Sequence, residues 1–313
     1  ASFTLRAAAP FELKDGDRVI FLGDTLIERE QHYGWIELML TTRFPDRHVT
    51  FRNLGWSADL PDGESRLGLS LTQAGNEPPG EAWKLLQKQI EEAKPTVAFL
   101  GYGMAAAFDG AAGLPKFKAD YERLLDTIEK LSPGCRFVLL SPIFSQNTAG
   151  VFGDLKARDE RLVKYIDAIF EMAQNRKIPF AELGGLRMGG LNVSTGKFEE
   201  PAAAPVRSEN SIHLNSIGYQ IAASVLGQRL GLLANPDLKW IGTPQMEPLR
   251  QVILRKNEFY FHRSRPANMA YIFGFRKREQ GKNAVEMPQF DPLIAAEEKK
   301  IRELCKHLND ASF

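Results

Sequence analysis

The sequence predicts an α/β domain: a three-layer sandwich around a five-stranded, mostly parallel sheet, with a C-terminal extension beyond it. Three observations carry that reading. Short continuous apolar runs recur five times, each ended by glycine or a polar turn. Between them lie segments whose apolar residues fall at three- and four-residue steps. The longest Gly/Pro-rich loops then follow the ends of apolar runs, as they do at the carboxyl edge of an open parallel sheet.

The first run, Arg18–Asp24, has four apolar residues from Val19 to Leu22 before a Gly-Asp turn, the pattern of a strand buried on both faces. His48–Gly55, Thr96–Met104 and Arg136–Ile143 repeat it, and Pro179–Leu183 is a weaker fifth. Helices are expected over Trp35–Phe44, Glu81–Ala93, Lys116–Leu131, Asp154–Arg176 and Asn215–Leu232. In the fourth of these, Leu162, Tyr165, Ile166, Ile169 and Phe170 make one stripe with the charged residues largely off it. The long loops are Ser57–Gly80, Ser145–Gly153 and Gly184–Glu209. Alternation of strand and helix places the α/β domain over residues 1–235 and leaves 236–313 as the extension.

Composition excludes several classes. Of 313 residues, 43% are hydrophobic and 25% charged, the balance of a globular chain rather than a disordered one. Lys+Arg and Asp+Glu number 40 and 39, so net charge points to no polyanionic partner, and nucleic acid is not expected. No apolar run reaches the ~18–20 residues of a membrane helix, so no membrane span is expected. Two cysteines, Cys135 and Cys305, are too few for a disulfide framework and lack metal-ligand spacing.

The charge balance is an average. Residues 250–282 hold nine basic residues against two acidic ones, interleaved with Phe259, Tyr260, Phe261, Tyr271, Phe273 and Phe275. Such a segment can bind a polyanion, connect to a further domain, or pack as an arm with its aromatics buried and its arginines paired. The packing arm is the expectation. A charged amphipathic helix should follow over Pro292–Leu308.

Four short motifs lie where strands end. Gly23-Asp24-Thr25 puts a hydroxyl at the carboxyl edge of the first strand, where backbone N–H groups can face an oxyanion. Asn53-Leu54-Gly55-Trp56-Ser57 ends the second, and Gly55 can bring its N–H close to a ligand. Gly101-Tyr102-Gly103-Met104 ends the third. Glu209-Asn210-Ser211-Ile212-His213 precedes the last helix, and among five histidines only His213 lies between a long loop and a helix start. Trp56 and Tyr102 could stack on a sugar ring at the mouth of such a site, with Asn53 beside them, or pack as buried aromatics.

In this order the four motifs resemble those of the GDSL, or SGNH, hydrolases, a family of esterases and acylhydrolases, over about residues 15–232. The resemblance implies a nucleophile at Thr25, with Asp24 fixing the turn. It implies oxyanion donors at Gly55 and around Gly103, a base at His213, and an orienting partner at Asn210. No metal or organic cofactor is implied. Neighbouring Glu209 is a second candidate to orient His213. The substrate would be a small-molecule or carbohydrate ester, and the location secreted or periplasmic. The chain begins at Ala1 rather than Met, which fits removal of a leader.

Three departures from the family pattern weigh against fast hydrolysis. Thr25 replaces serine, and its extra methyl restricts χ1. Ala105 stands where an oxyanion asparagine is expected, a loss worth about 10²–10³ in rate. Asn210 replaces an aspartate, a change that costs about 10⁴ in a serine protease. Two functions are therefore expected: an ester hydrolase with an altered Thr/His/Asn site, or an inactive ligand- or glycan-binding module of the same fold.

Overall fold

The computed structural model describes residues 11–66, 80–146, 155–184, 206–233, 243–265 and 285–310, and the backbone at 190–192 and 197–199. Five strands form one sheet: β1 (Arg18–Gly23), β2 (Thr50–Asn53), β3 (Val97–Gly101), β4 (Arg136–Leu140) and β5 (Phe180–Ala181). Their order is β2-β1-β3-β4-β5, and every pairing is parallel. Around them lie α1 (Thr25–Glu30), α2 (Trp35–Arg43), α3 (Glu81–Ala93), α4 (Gly110–Leu131), α5 (Lys156–Arg176) and α6 (Ser216–Arg229). The chain ends in α7 (Glu247–Ser264) and α8 (Asp291–Asp310).

The continuous apolar strands are explained by the two covered faces. Successive side chains point to opposite sides of a sheet, so a strand buried on both needs apolar residues throughout. Val19, Phe21, Phe51, Val97, Phe99 and Val138 share one core with α2, α6, α7 and α8. Ile20, Leu22, Ala98, Leu100 and Leu139 share the other with α3, α4 and α5. At the carboxyl end β1 and β3 nearly touch. A Cβ on Gly23 would lie 2.2 Å from the Gly101 carbonyl oxygen, so only glycine fits there.

Some boundaries differ from the sequence reading. β5 is two residues long, because an edge strand gains hydrogen bonds on one side only. α4 begins at Gly110 and carries Pro115 within it, whereas the proline alone argues for a start at Lys116. A short antiparallel hairpin, Gly190–Asn192 with Lys197–Glu199, lies within the long loop after β5.

α7 was hidden in the sequence. Its buried positions are Leu249, Ile253, Lys256 and Asn257, so half of its inward stripe is polar and no apolar period marks it. Lys256 is 1% exposed and bonds Glu37 Oε1 at 2.5 Å and the Phe51 carbonyl at 3.2 Å. Arg250 donates to the Tyr33 carbonyl and lies over the Trp35 ring, and Arg52 of β2 pairs with Glu298 of α8. Residues 250–265 thus pack onto the sandwich through buried and half-buried charges. The remainder of the basic segment, 266–282, lies outside the described residues.

Candidate active site

The end of β1 is organised by Asp24. Its main-chain N–H bonds the Gly101 carbonyl, and its carboxylate caps α1 by accepting from Leu26 N at 3.2 Å. The other carboxylate oxygen accepts from Met104 N at 2.9 Å and Ala105 N at 3.4 Å. One side chain therefore ties the first motif to the third. Asp24 is 1% exposed, and burial pushes its carboxyl up to about 6 against the pull of these N–H groups.

Thr25 opens α1, and its Oγ1 accepts from the N–H of Ala58 at 2.9 Å. The resemblance implies an oxyanion donor at Gly55. Gly55 instead donates to Asn53 Oδ1 at 2.9 Å, and Asn53 Nδ2 donates to the Ile27 carbonyl at 2.6 Å. A Cβ on Gly55 would sit 2.6 Å from Glu28 N, so this glycine lets the loop after β2 lie directly on α1. The loop then turns back through Ala58 at φ 56°, in the left-handed region. A non-glycine residue there gives no signal in the sequence, which is why Ala58 was missed.

The same loop is anchored below the surface. Arg66 and Asp59, both wholly buried, pair at 2.9 Å, and Arg66 also bonds Gln89 Oε1 and the Leu54 carbonyl. Tyr102 is wholly buried too, with its hydroxyl 3.4 Å from Asp59, so it belongs to the core and not to a site mouth. Asn53, 6% exposed with its amide spent on Ile27 and Gly55, is likewise structural. Trp56 is half-buried, with the Arg66 and Arg265 guanidiniums 5.6 and 4.5 Å from its ring. Gly103 takes φ 123°, which favours glycine at the turn carrying Met104 and Ala105 to Asp24.

The second half of the site is the loop before α6. Asn210 Oδ1 accepts from Ile212 N at 3.2 Å and His213 N at 2.9 Å. Its Nδ2 therefore faces His213 Nδ1, at 3.2 Å. Two N–H donors on Oδ1 fix which end of the amide meets the ring, so Nδ1 accepts and the neutral imidazole carries its proton on Nε2. Burial lowers the His213 pKa, and the nearby Arg29 charge lowers it further while Glu209 opposes. Glu209 does not take the orienting role: its carboxylate pairs with Arg29 at 2.6 Å and accepts from the Tyr33 hydroxyl.

Those contacts bring the two halves together. Arg29 and Tyr33 follow Thr25 on or just after α1, and Glu209 belongs to the His213 loop. Tyr219 of α6 donates to the Leu26 carbonyl at 2.7 Å and stacks on Tyr33. Arg29 and Tyr33 are thus further site-building residues that no motif revealed. Among the described residues no group of three or more His, Cys, Asp or Glu could hold a metal ion, and no helix is long and apolar enough to cross a membrane.

No family model matches the sequence, and no curated protein matches it. The fold does match solved structures. A protein from Parabacteroides merdae described as a candidate GDSL-like lipase superposes with a TM-score of 0.52 at 15% identity, over 71% of this chain and 99% of that one. A gut microbial diltiazem-metabolizing enzyme gives 0.49 at 18% identity; 70% of this chain spans about half, 48%, of its length. An acetyl xylan esterase gives 0.46 at 16% identity, over 67% of this chain and 98% of its own. The α/β sandwich is thus the fold of that GDSL-like lipase.

Proposed function

We propose that the chain is an SGNH-type ester hydrolase working through an altered Thr25/His213/Asn210 site, with carbohydrate O-acyl esters as its substrate class and a secreted or periplasmic location. One observation carries the reading: α1, which opens with Thr25, and the loop that holds His213 are joined through Arg29, Tyr33 and Glu209. Thr25 Oγ1 attacks the ester carbonyl, and its proton passes to His213 and on to the leaving alcohol. The N–H of Thr25 is the natural oxyanion donor, because the Gly55 N–H is committed to Asn53 and that of Ala58 to Thr25 Oγ1 itself. Water then hydrolyses the acyl-threonine, with His213 as base.

The resting tautomer slows this sequence. His213 Nε2 must lose its proton before it can act as a base, which moves the ring proton to Nδ1 and sets it against the Asn210 amide hydrogens. Asn210 therefore favours a second reading, a module that binds esters or glycans without turning them over. In that reading His213 Nε2–H donates to a ligand oxygen.

Hydrolysis of p-nitrophenyl and acetylated-sugar esters by the parent, Thr25→Ala and His213→Ala separates the two. Turnover by the parent that both variants lose is the expected result. Equal rates in all three would overturn the mechanism, and retained binding of an acetylated sugar by an inactive parent would establish the binding module.

A further inference from the structure

The loop that carries Ala58 to Thr25 is contacted from outside the α/β sandwich. Arg265, the residue after α7, lies over the Trp56 ring at 4.5 Å and is 8% exposed. Its Nη1 is 3.5 Å from Glu28 Oε1, and the other Glu28 oxygen accepts from Ser57 Oγ at 3.2 Å. Ser57 precedes Ala58, whose N–H meets Thr25 Oγ1. The contacts therefore run without a gap from the C-terminal arm to the candidate nucleophile.

Two features give this contact direction. The loop cannot hold its own conformation cheaply, since Ala58 sits at φ 56°, where a side chain is strained unless its surroundings enforce it. Trp56 is gripped on behalf of that loop by two guanidiniums, one from within it, Arg66, and one from the arm. Arg66 is locked by Asp59, Gln89 and Leu54, and the Trp56 main chain bonds Gly23 and Asp59, so the arm adds a restraint on the Trp56 indole and, through Glu28, on Ser57.

We propose that Arg265 is a positioning residue for the Thr25 site, holding the Trp56–Ala58 turn through Trp56 and Glu28, so that the C-terminal arm is a working part of the site. This rests on the hydrolase reading for its kinetic consequence, and on geometry alone for the ordering of the loop. A planar guanidinium is required to lie on the indole and reach Glu28 together, which a lysine ammonium does only in part.

The test compares the full chain with Arg265→Gln, Arg265→Lys and a control, Arg263→Gln, whose side chain pairs with Asp291 elsewhere on the arm. Arg265→Gln should lower kcat about tenfold with KM unchanged, the signature of a misplaced reacting group, and Arg265→Lys should restore part of the loss. Amide exchange over residues 55–59 should quicken in Arg265→Gln and stay at the parent rate in Arg263→Gln. Unchanged exchange there would overturn the proposal, as would a kcat equal to that of the parent. If the parent hydrolyses no ester, the hydrolase reading fails by itself and exchange over 55–59 decides this inference alone. Should Arg265→Gln not fold, Arg265→Lys carries both readouts.

Discussion

The two ends of the candidate site are built with the same device and put it to opposite uses. At the Thr25 end a carboxylate, Asp24, collects N–H groups from α1 and from the turn after β3. At the His213 end an amide, Asn210, collects two N–H groups from its own loop and then turns a donor toward the imidazole. Both side chains shape backbone equally well. Only the charged one could also stabilise an imidazolium, and it stands at the end without the histidine. The difference teaches that a carboxylate and an amide can shape backbone alike while differing in what they can do with a proton.

The strongest way to break that contrast is Asn210→Asp. A carboxylate would accept from Nδ1–H, free Nε2 as a base and raise the His213 pKa. Ester turnover should increase by about 10²–10⁴, in line with the cost of the reverse change elsewhere. A rate unchanged from the parent, with the imidazole titration shifted upward as expected, would mean that Thr25 or Ala105 and not Asn210 limits the chemistry.

Removing the other cap sharpens it from the opposite side. Asp24→Ala strands the N–H groups of Leu26, Met104 and Ala105 in a buried place, and should cost about 2–4 kcal/mol of stability. Asn210→Ala exposes a half-buried loop and should cost about 1 kcal/mol. Chemical denaturation of the pair measures both, and equal losses would erase the distinction.

Acid acts on the Thr25 end in an unusual direction. Asp24 and Asp59 both have carboxyls raised by burial to about 6, above the 3.8 of an unfolded aspartate. The folded state therefore takes up protons first, and these two groups add stability as pH falls from about 7 toward about 5. Melting of the parent against Asp59→Asn over that range should show the gain shrinking in the variant. The smallest effect belongs to Arg29. Arg29→Met removes a charge that holds the His213 pKa down, so the imidazole should titrate at higher pH, as proton NMR would record.

Much of the sandwich was legible because burial on two faces forces apolar runs such as Val19–Leu22 and Val97–Leu100. Asp24, Thr25, Asn210 and His213 were singled out by short motifs that resemble a family's, and of these the structure shows Asp24 capping α1 and Asn210 meeting the His213 ring. Ala58 escaped because its role depends on backbone direction, and nothing in Ser-Ala-Asp announces a left-handed turn. α7 escaped because its inward face is half polar: Lys256 is buried against Glu37 and the Phe51 carbonyl, and Asn257 against Glu37. Tyr102 was ambiguous, since an aromatic beside two glycines looks the same whether it faces water or the core, and burial decides for the core.

Lys256 also bears on how the chain assembles. An ammonium sunk among Phe51, Ile253 and Ile301 is tolerable only where Glu37 is already in place to receive it. Docking one helical turn out of step would leave that cation facing hydrocarbon. The buried charge thus acts as a key that fits α7 to α2 and β2 in one register.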